Sequence, residues 1–111
     1  MTAHVLLIPP EASPTVTQVP DDLAPGGAAA LQALQQLVGG YITAVHLSND
    51  TVLIYREFDT PQEEQEAAFN SVVAVLTAVP VRGVAVLAGA NRDRVVDVPQ
   101  RWVDRVAASD S

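Results

Sequence analysis

The chain has 111 residues, a net charge of −7 and no cysteine, which leaves room for one domain and excludes disulfides and thiolate metal sites. Half of it is apolar (49%) but only 5% is aromatic, so the core is built of Ala, Val and Leu rather than around a large aromatic pocket. The acidic balance argues against nucleic acid as a partner, since gripping phosphates needs clustered Lys and Arg.

The first element expected is a buried strand, Val5–Ile8, stopped by Pro9-Pro10. Thr15–Val19 alternates β-branched and polar residues between Pro14 and Pro20, the pattern of an edge strand. Asp21–Gly27 has no period and reads as a loop. From Ala28 the apolar Leu31, Leu34, Leu37 and Val38 recur at helical spacing, with glutamines opposite. Gly39 closes that helix in the left-handed conformation, and Gly40 frees the turn that follows.

Tyr41–Ser48 and Thr51–Phe58 then read as a hairpin about Asn49-Asp50. With Ser48 facing Thr51, an unbroken register pairs Leu47 with Val52, Val45 with Ile54 and Tyr41 with Phe58. Ala44, His46, Leu53 and Tyr55 would share the other, half-polar face. Thr60-Pro61-Gln62-Glu63 is a helix start with a capping residue, a first-turn proline and a capping-box acid. Phe69, Val72, Val73 and Leu76 mark a buried stripe, which predicts one helix closed by Pro80. Val72–Val79 is also β-branched enough for a strand, with the helix ending near Asn70. Gly83–Ala88 reads as a central strand, Gly89–Asp93 as a loop and Arg94–Val98 as its hairpin partner. Pro99 opens a short helix with Trp102, Val103 and Val106 on one side, and the last residues fray.

These elements predict an α+β fold: a mainly antiparallel sheet built from hairpins, with two long helices and a short C-terminal helix packed on it. The segments are 1–27 (strand pair and loop), 28–58 and 61–98 (each a helix plus hairpin), 99–108 (helix) and 109–111 (tail), in one domain spanning 1–111. The N-terminus lacks a basic region and a long apolar stretch, and no stretch approaches the roughly 20 apolar residues of a membrane span. A cytoplasmic location is the expectation.

The run Leu37–Ile42, L-V-G-G-Y-I, followed by Asn70 and by Gly83–Gly89 read as GVAVLAG, resembles an uncharacterised family of small phage and bacterial proteins. Its members carry this helix end, a following strand, a downstream Asn and a G-x-x-V-x-G strand. Thr43 stands here where such relatives often have an acid, and the segment before Asn70 is longer and more acidic. The resemblance implies a shared fold and a phage or mobile-element setting, and it implies no activity.

No catalytic pattern emerges. Two histidines, His4 and His46, without HxH or HxxxH spacing do not make a metal site. No serine lies in a G-x-S-x-G context. Glu63 with Glu66, and Asp93 with Asp97, read as solvated pairs rather than as acid and base. Gly26 and Gly27 precede a helix and so offer a weak anion-binding loop, while Gly39 and Gly40 lie at the wrong end of theirs. Gly83 and Gly89 are read as structural glycines. Trp102 with Arg101 and Arg105 reads as the anchor of an amphipathic helix rather than a nucleic-acid contact.

The candidate ligand or interface residues are Tyr41, His46, Leu53, Tyr55, Arg56 and Asn70. Such a hairpin face suits a subunit interface, or a small planar ligand such as a nucleotide. The expectation is therefore a non-enzymatic binding module without cofactor or metal. Its partners would be itself, as a homo-oligomer, a host or phage protein, or a small ligand. The rival reading is an acidic DNA mimic that inhibits a defence or regulatory protein, because residues 1–80 carry nine acids and a single base, Arg56. An enzyme with an unfamiliar site of Tyr, Arg, Asn and Asp is the third class.

Overall fold

The computed structural model describes residues 2–20, 28–91 and 94–109. The run of small and branched apolar residues near position 85 has no polar face, so it can only lie inside a sheet covered on both sides. It forms β5 (Ala85–Asn91), buried from Ala85 to Gly89. Around it stand β1 (Thr2–Ile8), β2 (Thr15–Pro20), β3 (Ile42–Ser48), β4 (Thr51–Arg56) and β6 (Arg94–Val96). The order is β2-β1-β5-β4-β3, with β6 also paired to β5, and every pairing is antiparallel. The proline-flanked β2 is an edge strand, as its sequence predicts.

Alternation along the strands sends side chains to two cores. On one face Leu6, Ile8, Leu53, Ala85 and Leu87 meet Val73 and Leu76 of α3 (Ser71–Thr77), and Trp102 and Val106 of α4 (Gln100–Ser109). On the other, Ala3, Val5, Val52, Ile54, Val86 and Ala88 meet Leu34 and Val38 of α1 (Ala28–Val38). Helices thus cover both faces of an antiparallel sheet, an α+β arrangement in three layers.

Several expectations are corrected. The second long helix is two short ones, α2 (Pro61–Glu66) and α3. Thr60 caps α2 through its Oγ1, which accepts from the Glu63 N–H at 3.2 Å. At Ala67 the backbone turns extended (φ −77°, ψ 143°), and Asn70 caps α3 by accepting from the Val73 N–H. The break is stabilised from outside the segment, because the Asn70 N–H also bonds the Val81 carbonyl. The longest helix among the described residues has 11 residues.

The β3–β4 register slips by one. Ser48 faces Thr51, but a bulge between His46 and Ser48 pairs His46 with Val52, Val45 with Leu53 and Thr43 with Tyr55. Because side chains alternate with period two, this splits the expected face. Tyr55 and Leu53 point toward α3 and α4, whereas Ala44 and His46 lie on the α1 side with Ile54 and Val52.

The central strand begins at Ala85 rather than Gly83, and it runs through Gly89 to Asn91 instead of looping there. Gly89 pairs with Val96, and a Cβ at that position would collide with the Asp97 carbonyl. Beyond β6 the chain continues beside β1: the Val98 N–H bonds the His4 carbonyl at 2.8 Å, and the Asp97 Oδ1 accepts from the His4 N–H at 2.7 Å. Ser109, expected in a frayed tail, still belongs to α4. The Asp21–Gly27 loop lies outside the described residues.

Candidate functional site

β4 ends at Arg56, where the chain leaves the sheet but stays tied to β3 by a bond from the Glu57 N–H to the Tyr41 carbonyl, 2.8 Å. The Arg56 guanidinium carbon lies 4.9 Å from the centroid of the Phe58 ring, a cation–π distance. Its Nε lies so near Gly40 that a Cβ there would approach it to 2.9 Å, so the glycine at the foot of α1 makes room for the arginine. No hydrogen-bond acceptor among the described residues meets this guanidinium. Arg56 is thus held by packing while its donors are unspent.

Two hollows flank it, each of about 290 Å³. The first lies on the α2–α3 side. Thr43, Tyr55, Arg56 and Arg82, all half-buried, line it, and the exposed Glu57 and Glu64 stand around them. Arg82 is placed there by its bridge to Phe69 in the α2–α3 connection. Its Nη1 donates to the Ala67 carbonyl at 3.0 Å. The second hollow involves Gly40, Tyr41, Arg56, Glu57 and Asp59. Both are at the small end for ligand sites, which begin near roughly 300 Å³.

The structure scatters the remaining candidates. Tyr41 is exposed, at 68%. His46 is exposed on the α1 side of β3 and does not meet Tyr55. Leu53 has no exposed surface, so it is a core residue and unavailable to a ligand or partner. Asn70 is likewise fully buried. Its Nδ2 donates to the carbonyls of Ile8 (2.9 Å) and Gly83 (3.0 Å), and its Oδ1 accepts from the Val73 N–H (3.1 Å). All the polar capacity of that amide but one lone pair goes to the fold. Gly39 has φ 86° at the end of α1 and Gly83 has φ 82°. Gly26 and Gly27 lie outside the described residues. Tyr55 and Arg56 alone of the six come together in the first hollow, joined by Thr43 and Arg82.

Two polar clusters were not foreseen. Arg101 of α4 grips Asp50 in the β3–β4 turn with both Nη atoms, at 2.9 and 2.7 Å. Ser48 and Thr51 also donate to Asp50, at 2.8 and 3.0 Å, and the Trp102 Nε1 donates to the Thr51 Oγ1 at 3.1 Å. The bonds from Arg101 first, then those from Ser48 and Thr51, hold the Asp50 carboxyl well below the usual range, and Asp50 in turn raises Arg101. This cluster fastens α4 to the hairpin, with both Nη atoms of Arg101 engaged on it. In the second, His4 stands between Asp97 (Nδ1 to Oδ1, 3.3 Å) and Gln18 (Nε2 to Nε2, 3.2 Å). The His4 backbone N–H, then its ring, lowers the Asp97 pKa. Both ring nitrogens are engaged and no hydroxyl or thiol nucleophile joins them, so the cluster ties β1 to β2 and to the segment after β6. A sequence signal existed only for Trp102, whose indole needs a partner when buried; the spacings of 51 and 93 residues carry none.

Among the described residues no group of three or more His, Asp or Glu is placed to hold a metal ion, and no helix is long and apolar enough to cross a membrane. The model of a domain of unknown function, DUF3846, matches residues 1–109. No curated protein and no solved structure matches.

Proposed function

The chain belongs to the DUF3846 family, and from that premise we propose that it is a non-catalytic binding module acting by protein–protein contact along the free edge of β3, with a second copy of itself as partner. The observation that carries this is the edge itself. Bonded and unbonded pairs alternate in an antiparallel ladder. The bond from Glu57 N–H to the Tyr41 carbonyl makes Ile42–Arg56, Ala44–Ile54 and His46–Val52 the unbonded pairs of the register. The N–H and C=O groups of Ile42, Ala44 and His46 therefore point away from the sheet.

An edge strand is normally blunted by charge, proline or a bulge. β3, Ile-Thr-Ala-Val-His-Leu-Ser, has no Asp, Glu, Lys, Arg or Pro, and its bulge lies at the far end, between His46 and Ser48, whereas β2 is flanked by Pro14 and ends in Pro20. The strand also has no Asp, Glu, Lys or Arg in a strongly acidic chain, so two copies can approach there without carboxylates meeting. Antiparallel pairing about Ala44 puts the smallest side chain of the strand at the dyad and makes the contact self-complementary. A phage or mobile-element setting, inside the cell, belongs to the same reading and is supported by the L-V-G-G-Y-I element and the absence of cysteine.

The test is the mass in solution, by light scattering across a concentration series, of the native protein and of Ala44→Glu. The side chain of Ala44 is exposed, so the substitution spares the core and sets two like charges opposite each other. A concentration-dependent dimer that Ala44→Glu converts to monomer is the expected result. A monomer at every concentration, or a dimer indifferent to the substitution, refutes the reading. Binding to a defence or regulatory protein that fades steeply with added salt would favour instead the acidic-mimic alternative.

A further inference from the structure

The first hollow beside Arg56 has a graded chemistry. Four of its half-buried lining residues carry donors, the guanidinium groups of Arg56 and Arg82 and the hydroxyls of Tyr55 and Thr43, beside the half-buried Phe58 and the buried Val81. Among the described residues neither Arg56 nor the two hydroxyls has a side-chain hydrogen-bond partner. Arg82 spends only Nη1, on the carbonyls of Gln65 and Ala67 at the end of α2. Both guanidinium groups are nevertheless fixed, Arg56 against Phe58 and Gly40 and Arg82 by its backbone acceptors. Ordering such long side chains in advance removes much of the entropy cost that binding would otherwise carry. The outermost charged groups are the opposite sign, since Glu57 and Glu64 are exposed.

We propose that this hollow binds a small zwitterionic carboxylate of the free amino-acid type, its carboxylate against Arg56, Arg82, Tyr55 and Thr43 and its ammonium toward Glu57 and Glu64. A planar carboxylate matches the fork of a guanidinium. Two cations and two anions leave the hollow neutral, which disfavours a dianion and favours a ligand carrying both signs. The volume of about 290 Å³ admits a molecule of this size and not a nucleotide. This inference stands apart from the β3 edge: it concerns side chains on the α2–α3 face and holds for monomer or dimer.

The experiment is a titration of the ¹⁵N-labelled protein, followed by NMR at the backbone amides of residues 55–58 and at the arginine Nε–H groups. The probes are L-alanine, propionate and inorganic phosphate. Alanine should bind tightest, propionate roughly two- to fivefold more weakly for want of the ammonium, and phosphate weakest. Arg56→Gln should weaken alanine binding about tenfold or more, as expected for a lost charge-assisted bond. Tyr55→Phe removes only a hydroxyl that no protein group uses, so it leaves the fold intact, and it should weaken binding roughly fivefold. Glu57→Gln with Glu64→Gln should erase the preference of alanine over propionate. The proposal is overturned if no probe shifts these resonances at tens of millimolar, if phosphate binds tightest, or if both Arg56→Gln and Tyr55→Phe bind alanine like the native protein.

Discussion

Replacing Asn70 by alanine removes three bonds from one buried amide. The Val73 N–H loses its cap, which costs about 1 kcal/mol. The Ile8 carbonyl sits in a fully buried bond, and leaving it without a donor costs about 1–3 kcal/mol. The Gly83 carbonyl lies in a partly buried bond and can recover water, so its loss is nearer 1 kcal/mol. Together about 3–5 kcal/mol is at stake, a large share of the roughly 5–15 kcal/mol that holds a small domain folded. Urea unfolding, followed by the fluorescence of the single tryptophan, Trp102, and by circular dichroism, should show the midpoint falling with an unchanged slope. Asn70→Asp sharpens the test. It keeps the cap acceptor but turns a carboxylate toward two carbonyls, which raises its folded pKa above the unfolded value of about 4. Its protonated form can donate to one carbonyl, so relative to Asn70→Ala it should be most stable below about pH 4 and lose that advantage as pH rises through the raised value. A loss under about 1 kcal/mol for Asn70→Ala, or no pH dependence of the difference between the two variants, would refute the idea that this amide holds the α2–α3 break against the sheet.

Gly89→Ala should be more damaging than Gly39→Ala, as read by thermal unfolding. The first drives a Cβ into the Asp97 backbone and costs about 1–3 kcal/mol or more, whereas the second meets no atom within 4 Å and carries only the left-handed backbone penalty of about 1–2 kcal/mol. Asp50→Asn should destabilise the protein near neutrality. Because the native Asp50 pKa is depressed, its contribution is complete above the unfolded value of about 4 and is lost as pH falls, so urea midpoints of variant and native protein should converge below pH 4 or so. Trp102→Phe keeps most of the buried ring but loses the bond to Thr51, for a cost of about 1 kcal/mol plus a smaller packing loss. Thr51 keeps Arg101 as a donor, so circular dichroism should show a native fold with a lowered midpoint.

Several elements are legible in the chain because their causes are local. Thr60-Pro61 starts α2 where the capping pattern places it, Gly39 ends α1 with positive φ, and the prolines around β2 mark an edge. The candidate site was legible only in its components. Tyr55 and Arg56 stand together because they adjoin in sequence. Arg82 and Thr43 join them through the α2–α3 break and the β3–β4 register, neither of which has a local signal. Asn70 and Leu53 looked available because a sequence does not say which polar or apolar groups the rest of the chain will cover.

Local chemistry alone fixes the apolar run that must be central, the end of α1 and the start of α2, the turn at Asn49-Asp50 and the absence of any familiar catalytic pattern. Each depends on residues within a few positions of one another. The tertiary structure decided the break after Ala67, whose stabilising bonds reach from Asn70 to Ile8 and Gly83. It also decided the bulge between His46 and Ser48, and it brought Arg101 of α4 onto Ser48, Asp50 and Thr51. Either local alternative, an unbroken helix or an unbroken ladder, satisfies its own segment as well. For the helix break the choice falls to bonds spanning 13 to 62 residues, because a buried carbonyl without a donor costs more than a helix turn gains.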